Sequence, residues 1–180
     1  EVVLGWYGLI MLIDAHVHAR QDATSTQSYK EDFSSAGLAA IHGGVSAFAD
    51  MPNNPQPPID DASYARKREL AKASCPVDVL LYAGLGPHTR PLSFPAPYKA
   101  YMGHSVGDLF FASDEDLRAA LARYRAQAVA FHAESPALLA QHHKAPTHAQ
   151  RRPPAAETAA IGVALELSES FGIQPHICHL

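Results

Sequence analysis

Cysteine is scarce in this 180-residue chain: Cys75 and Cys178 stand alone. Two thiols so far apart give no disulfide framework and no thiolate zinc site, and a reducing, cytoplasmic setting suits them best. No charge of one sign dominates, since 14 Lys and Arg face 18 Asp and Glu for a net charge of −4. That balance lacks the electrostatic footprint of a nucleic-acid binder or of a protein held on an anionic membrane. Long apolar runs are missing too. Residues 2–13 are apolar but carry no basic lead and no small-residue cleavage site, and they fall short of the ~20 residues that cross a bilayer. Hairpin turn signals and internal repeats are absent. What is there is 47% hydrophobic and 18% charged, a globular composition able to bury one sizeable core and too apolar for a disordered tail.

Short apolar runs alternate with longer amphipathic stretches. Strands are predicted over residues 10–16, 45–51, 77–83, 98–102, 128–132 and 174–179, with residues 1–9 as a lead-in. The runs lack period-two alternation, which is how strands buried on both faces read. Helices are predicted over 30–42, stopped by Gly43-Gly44, over 60–73, after the capping signal Ser113-Asp114-Glu115-Asp116, and over 155–171, closed by Gly172. Residues 84–97 and 134–154 read as long loops. Strand alternating with helix implies right-handed βα units around a parallel sheet, either open and doubly wound or closed into a barrel.

One residue type is in excess. The chain has 11 histidines. His16 and His18 are two apart at the end of the first strand, so both point to one face, and Arg20 shares that parity if the strand continues. His132 ends the fifth strand and His179 the sixth, with His176 three residues earlier. In parallel α/β folds, ligands gather at the carboxyl ends of strands, and zinc favours such nitrogen donors. Taken singly, a strand-end histidine is more often a satisfied core or surface residue. Lys99 is a puzzle of another kind, because an unpaired ammonium inside an apolar strand is costly and has no lone pair for a metal. His42, His88, His104, His142, His143 and His148 read as surface or structural.

The motifs Asp14-Ala15-His16-Val17-His18-Ala19-Arg20, Asp50-Met51-Pro52-Asn53, Tyr98-Lys99-Ala100-Tyr101-Met102-Gly103, Ala130-Phe131-His132-Ala133-Glu134, Arg152-Pro153 with Ala156-Glu157, and His176-Ile177-Cys178-His179 occur in the order seen in dihydroorotases. Over residues 10–180 the chain resembles that family of the amidohydrolase superfamily. The resemblance implies an α/β fold, a (β/α)₈ TIM barrel of which about the first six βα units are present, with a remnant of a small β domain over residues 1–9. It implies two Zn²⁺ ions, the first on His16 and His18, the second on His132 and His179, bridged by Lys99 carboxylated to a carbamate. His179 is preferred to His176 because the family's ligand directly precedes a short hydroxyl-rich turn. Arg20 and Asn53 match the family's contacts to a substrate carboxylate, and an Arg fork suits a carboxylate.

The activity implied is reversible, zinc-dependent hydrolysis of the cyclic amide of dihydroorotate to N-carbamoyl-aspartate, in pyrimidine biosynthesis, by a cytoplasmic enzyme. Hydantoinases, dihydropyrimidinases and allantoinases share the histidines and the lysine, and their patterns lack the Arg20 and Asn53 equivalents. The family's catalytic aspartate is expected beyond Leu180. Asp14, Asp50, Asp108 and Asp114 occupy other places in the motif order, so no catalytic residue is assigned and the chain alone is expected to be inactive. Two alternatives remain: a non-catalytic scaffold that serves a partner such as aspartate transcarbamoylase, and a hydantoinase- or allantoinase-type hydrolase. The whole protein is expected to act on a small molecule, with no nucleic acid or membrane, as a homo-oligomer or with that partner. Unpaired edges at the first and last strands predict self-association.

Overall fold

The structure is a computed structural model that describes residues 11–103 and 109–179. The lead-in over residues 1–9, the start of the first predicted strand at Ile10, His104, Asp108 and Leu180 lie outside the described residues. The elements run β1 (Leu12–Val17), α1 (Phe33–His42), β2 (Val45–Asp50), α2 (Asp61–Ser74), β3 (Asp78–Leu81), β4 (Ala83–Leu85), β5 (Tyr98–Tyr101), α3 (Asp114–Leu121), β6 (Ala128–His132), α4 (Pro136–His142), α5 (His148–Arg151), α6 (Pro154–Phe171) and β7 (Gln174–Ile177).

Helix starts follow local chemistry. Asp32 and Asp60 cap α1 and α2, each accepting from a serine backbone N–H three residues on while that serine's hydroxyl takes the cap's own N–H. Ser113 caps α3 by accepting from Asp116 N. Gly172 ends α6 with φ 66°, a left-handed conformation that costs glycine nothing.

All strand pairs among the described residues are parallel, in two sheets of order β1-β2-β3 and β4-β5-β6-β7. Within each sheet every strand pairs with its neighbour in sequence. A doubly wound sheet reverses its strand order part-way, and no reversal occurs here, so the doubly wound alternative is set aside. The core packs the helices against the sheets, with Phe33, Phe48, Leu85, Leu117, Tyr124 and Phe131 all buried.

Four expectations are corrected. The third predicted strand is broken at Tyr82: the Tyr82 N–H donates to Asp50 on one side, and the Ala83 N–H donates to Pro97 on the other. Its second half, β4, extends into what reads as loop. The stretch 134–154 contains two short helices, α4 capped by Ser135 and α5 capped by Thr147, because local caps fix helices too short to show periodicity. β1 and β7 are not buried on both faces, since Ile13 is 64% exposed and Gln174, Pro175 and His176 are exposed in succession. Finally, the extended backbone stops before Arg20, whose φ of 58° turns the chain away and ends the shared parity.

Candidate metal centre

Parallel strands bring their carboxyl ends to one edge, and the chemistry collects there. Register places Lys99 beside Ala130, which pairs His176, and places Tyr101 beside His132, so these side chains share one face of the sheet. His16 lies in β1 and His18 just past it. His132 is the last residue of β6, and His179 follows β7 in a left-handed turn of φ 37° that aims its ring back across the sheet ends.

The four rings form a chain. His18 and His16 have centroids 5.1 Å apart, His16 and His179 5.4 Å, and His179 and His132 4.9 Å. The close nitrogens come in two pairs: His16 Nε2 to His18 Nε2 at 3.3 Å, and His132 Nδ1 to His179 Nε2 at 3.2 Å. Among the described residues, no group of three or more His, Cys, Asp or Glu surrounds one point as a ready-made ion cage. The pairs nevertheless have the right edge length. Two nitrogens on a tetrahedral zinc at ~2.0–2.1 Å stand ~3.3 Å apart, so the donor set fits two ions, one per pair. His176 is exposed and is not part of either pair.

His179 is exposed, and burial is the main force on the other three rings. It lowers His16 and His18 to about 4, helped at His16 by the Lys99 and His179 charges and at His18 by Arg20 and His16. It also lowers His132, against the pull of Glu134. Neutral imidazoles keep a lone pair for a metal. Orientation comes from hydrogen bonds on the opposite ring edge: His18 Nδ1 meets Asn53 Oδ1 at 2.8 Å, and His132 Nε2 meets Glu134 Oε2 at 2.8 Å. Glu134 is in turn held by Arg152. Burial pushes Glu134 up, and the Arg152 and His132 bonds outweigh it, leaving the carboxyl below its usual range. A cavity of about 400 Å³ opens beside this group, lined by His132, Glu134, His148, Arg152, Glu157 and His179.

Lys99 is 1% exposed. Its Nζ lies 2.7 Å from Cys178 Sγ and 5.4 Å from the Tyr101 ring centre, with no carboxylate partner among the described residues. Burial lowers its pKa, which favours the free amine that carbon dioxide can carboxylate. The Tyr101 hydroxyl is buried without a hydrogen-bond partner among the described residues. Arg20 reaches Asn53 through its backbone, Nη1 to O at 3.4 Å. Asn53 commits its side-chain oxygen to His18, so what it can offer a ligand is its amide N–H₂.

Three contributors received no role from the sequence: Glu134, the brace of His132, and Asp50, which both stand within the quoted motifs, and Lys67, which lies outside them. Lys67 had a signal, since it occupies the core-facing spacing of Tyr64, Lys67 and Ala71 on α2. The remaining described histidines, His42, His88, His142, His143 and His148, take no part in the ring chain.

The parallel α/β architecture, with paired imidazoles at its strand ends, has counterparts among solved structures. The L-hydantoinase of Arthrobacter aurescens superposes with a TM-score of 0.78 at 23% identity, over 94% of this chain and 41% of that one. In sequence the chain is similar to the mitochondrial allantoinase of Aquarana catesbeiana, at 29% identity over 94% of this chain and 37% of that one, and to curated dihydroorotases. The enzyme of Methanothermobacter thermautotrophicus is 34% identical over 98% of this chain and 42% of its own length, and that of Pyrococcus horikoshii is 36% identical over 94% and 37%. The chain thus spans about 40% of the length of the curated relatives it matches. No family model matches it.

Proposed function

We propose that this chain carries the metal-binding part of a zinc-dependent dihydroorotase, which interconverts dihydroorotate and N-carbamoyl-aspartate. The observation that carries the reading is the ring chain His18, His16, His179, His132 beside the buried, carboxylate-free Lys99. His16 and His18 would hold one zinc, and His132 and His179 the other. Lys99 attacks carbon dioxide through its free amine, forming a C–N bond and releasing one proton, and the resulting carbamate supplies the anionic oxygens that an ammonium cannot. Bound zinc supplies an acidified water and a polarised carbonyl. The chain's own residues do the rest. Burial favours the unprotonated form of His16, His18 and His132, Asn53 fixes the tautomer of His18 and Glu134 that of His132, and Arg20 with the Asn53 amide presents donors for a substrate carboxylate. The full enzyme would form a (β/α)₈ barrel, with its proton-shuttling aspartate on a strand outside this chain.

Arg20 and Asn53 favour a substrate with a carboxylate, which separates dihydroorotate from hydantoins. The test has two parts. Elemental analysis of the chain purified with zinc and bicarbonate should give about two zinc, and ¹³C-bicarbonate should yield a carbamate resonance lost in Lys99→Met. A longer protein carrying this chain should then turn over dihydroorotate in preference to hydantoin, dihydrouracil and allantoin. Absence of bound zinc would favour the scaffold alternative, and preference for an uncharged ring would overturn the substrate assignment.

A further inference from the structure

Behind the ring chain sits a buried charge pair that the proposed reaction does not use. Lys67 projects from α2 into the interior, 3% exposed, and meets Asp50, 0% exposed, at 2.7 Å from Nζ to Oδ2. The contact is an ion pair and not an aligned hydrogen bond. The same ammonium donates to the Met51 carbonyl at 3.5 Å and to the side-chain oxygen of Asn54, itself 1% exposed. Met51 and Asn54 are the two ends of the turn Met51-Pro52-Asn53-Asn54, which carries Asn53 in its middle. Asp50 uses its other oxygen to accept the Ala19 N–H at 2.8 Å. Ala19 is the residue between His18 and Arg20.

We infer that Lys67 is a positioning residue: with Asp50 and Asn54 it clamps both ends of the Met51–Asn54 turn and the Ala19 backbone, so that Asn53 holds His18 by its Nδ1 edge. A carboxamide oxygen can only accept, so the 2.8 Å contact from Asn53 Oδ1 requires the proton on His18 Nδ1. The lone pair is then left on Nε2, the atom that faces His16. Arg20 docks on the same turn through the Asn53 carbonyl. One ammonium therefore sets the tautomer of a histidine and the seat of an arginine it does not touch. Stability is a poor rationale for such a pair, because buried ion pairs can often be replaced by apolar side chains without loss. An apolar pair could not reproduce the bonds to Met51, Asn54 and Ala19.

The consequence for metal affinity rests on the proposed function, whereas the consequence for the His18 tautomer does not. Nitrogen-15 NMR of the metal-free chain reads the tautomer directly. The native chain should show His18 as the Nδ1–H form. In Lys67→Met with Asp50→Leu, and in Asn54→Ala with the ion pair intact, His18 should become a tautomer mixture while the urea transition stays cooperative. Zinc affinity by chelator competition should fall at least ~10-fold. A purely structural role would lower the urea midpoint and leave the tautomer alone. The clamp is overturned if the folded double variant keeps the Nδ1–H form. Should the double variant fail to fold, an unchanged tautomer in Asn54→Ala overturns it equally. A native chain that binds no zinc would sink the metal reading and leave the clamp to the tautomer.

Discussion

His16 and His18 show what burial does to a titrating side chain and what the rest of the molecule gives up for it. Both are held at about 4, against 6.5 for an exposed imidazole. Between those values the unfolded chain binds more protons than the folded one, so stability rises with pH across that window. The contribution is fully present above about pH 6.5 and is lost as pH falls to about 4. Urea midpoints of the metal-free chain should therefore drop steadily between pH 7 and pH 4, and His16→Gln should flatten the slope. A midpoint that does not move through this range would mean that the rings are solvated. On the other side of the ring chain, Glu134 orders His132 through a 2.8 Å bond and is backed by Arg152. Truncating the side chain removes the oxygen that His132 and Arg152 share, so Glu134→Ala should cost about 10–100-fold in zinc affinity by chelator competition.

Among the elements, α1 and α2 repay attention to close approach. Gly37 lies on the face of α1 that meets the end of α2, where an added Cβ would run into the Pro76 ring and lie 2.8 Å from Cys75 Sγ. Alanine in an exposed helix interior normally gains about 0.5–1 kcal/mol over glycine. Overpacking a tight contact costs about 1–3 kcal/mol. Packing wins here, so Gly37→Ala should lower stability by about 1–2 kcal/mol in chemical denaturation, the reverse of the helix-propensity expectation. The elements also show what a sequence can and cannot convey. Asp60 and Ser113 announce helix starts because a cap is a local device, readable in four residues. The break at Tyr82 is invisible, because Leu80, Leu81, Tyr82 and Ala83 are all apolar and the exchange of hydrogen-bond partners from Asp50 to Pro97 is a tertiary event. α4 and α5 were missed because seven and four residues are too few for a period.

For the whole molecule, the sequential parallel order was half legible. Alternating strand and helix implied a parallel sheet, but only the pairing itself excludes a reversal of strand order. The histidines at strand ends were legible because a strand end is a position in sequence. The Lys67 clamp was not, because it joins residues of α2, the β2 terminus and the arm after β1 through space. Among the described residues β1 is a sheet edge, with Met11 59% and Ile13 64% exposed, an invitation to pair with another strand. Sedimentation should show concentration-dependent association of the chain, weakened by Ile13→Lys. A strictly monomeric chain at all concentrations would count against the edge as an adhesive surface.

The break at Tyr82 has a kinetic corollary. β3 and β4 form no ladder with each other, so the two sheets are joined by the run from Leu81 to Ala83, the Gly84 N–H bond to the Pro58 carbonyl and core packing, and need not open together. Native-state hydrogen exchange should resolve the amides of β1 to β3 and those of β4 to β7 as two cooperative units with different opening free energies. His16 and His18 would then ride on one unit, Lys99, His132 and His179 on the other. Any ion that joins the two groups would weld the units into one, and their exchange rates would converge.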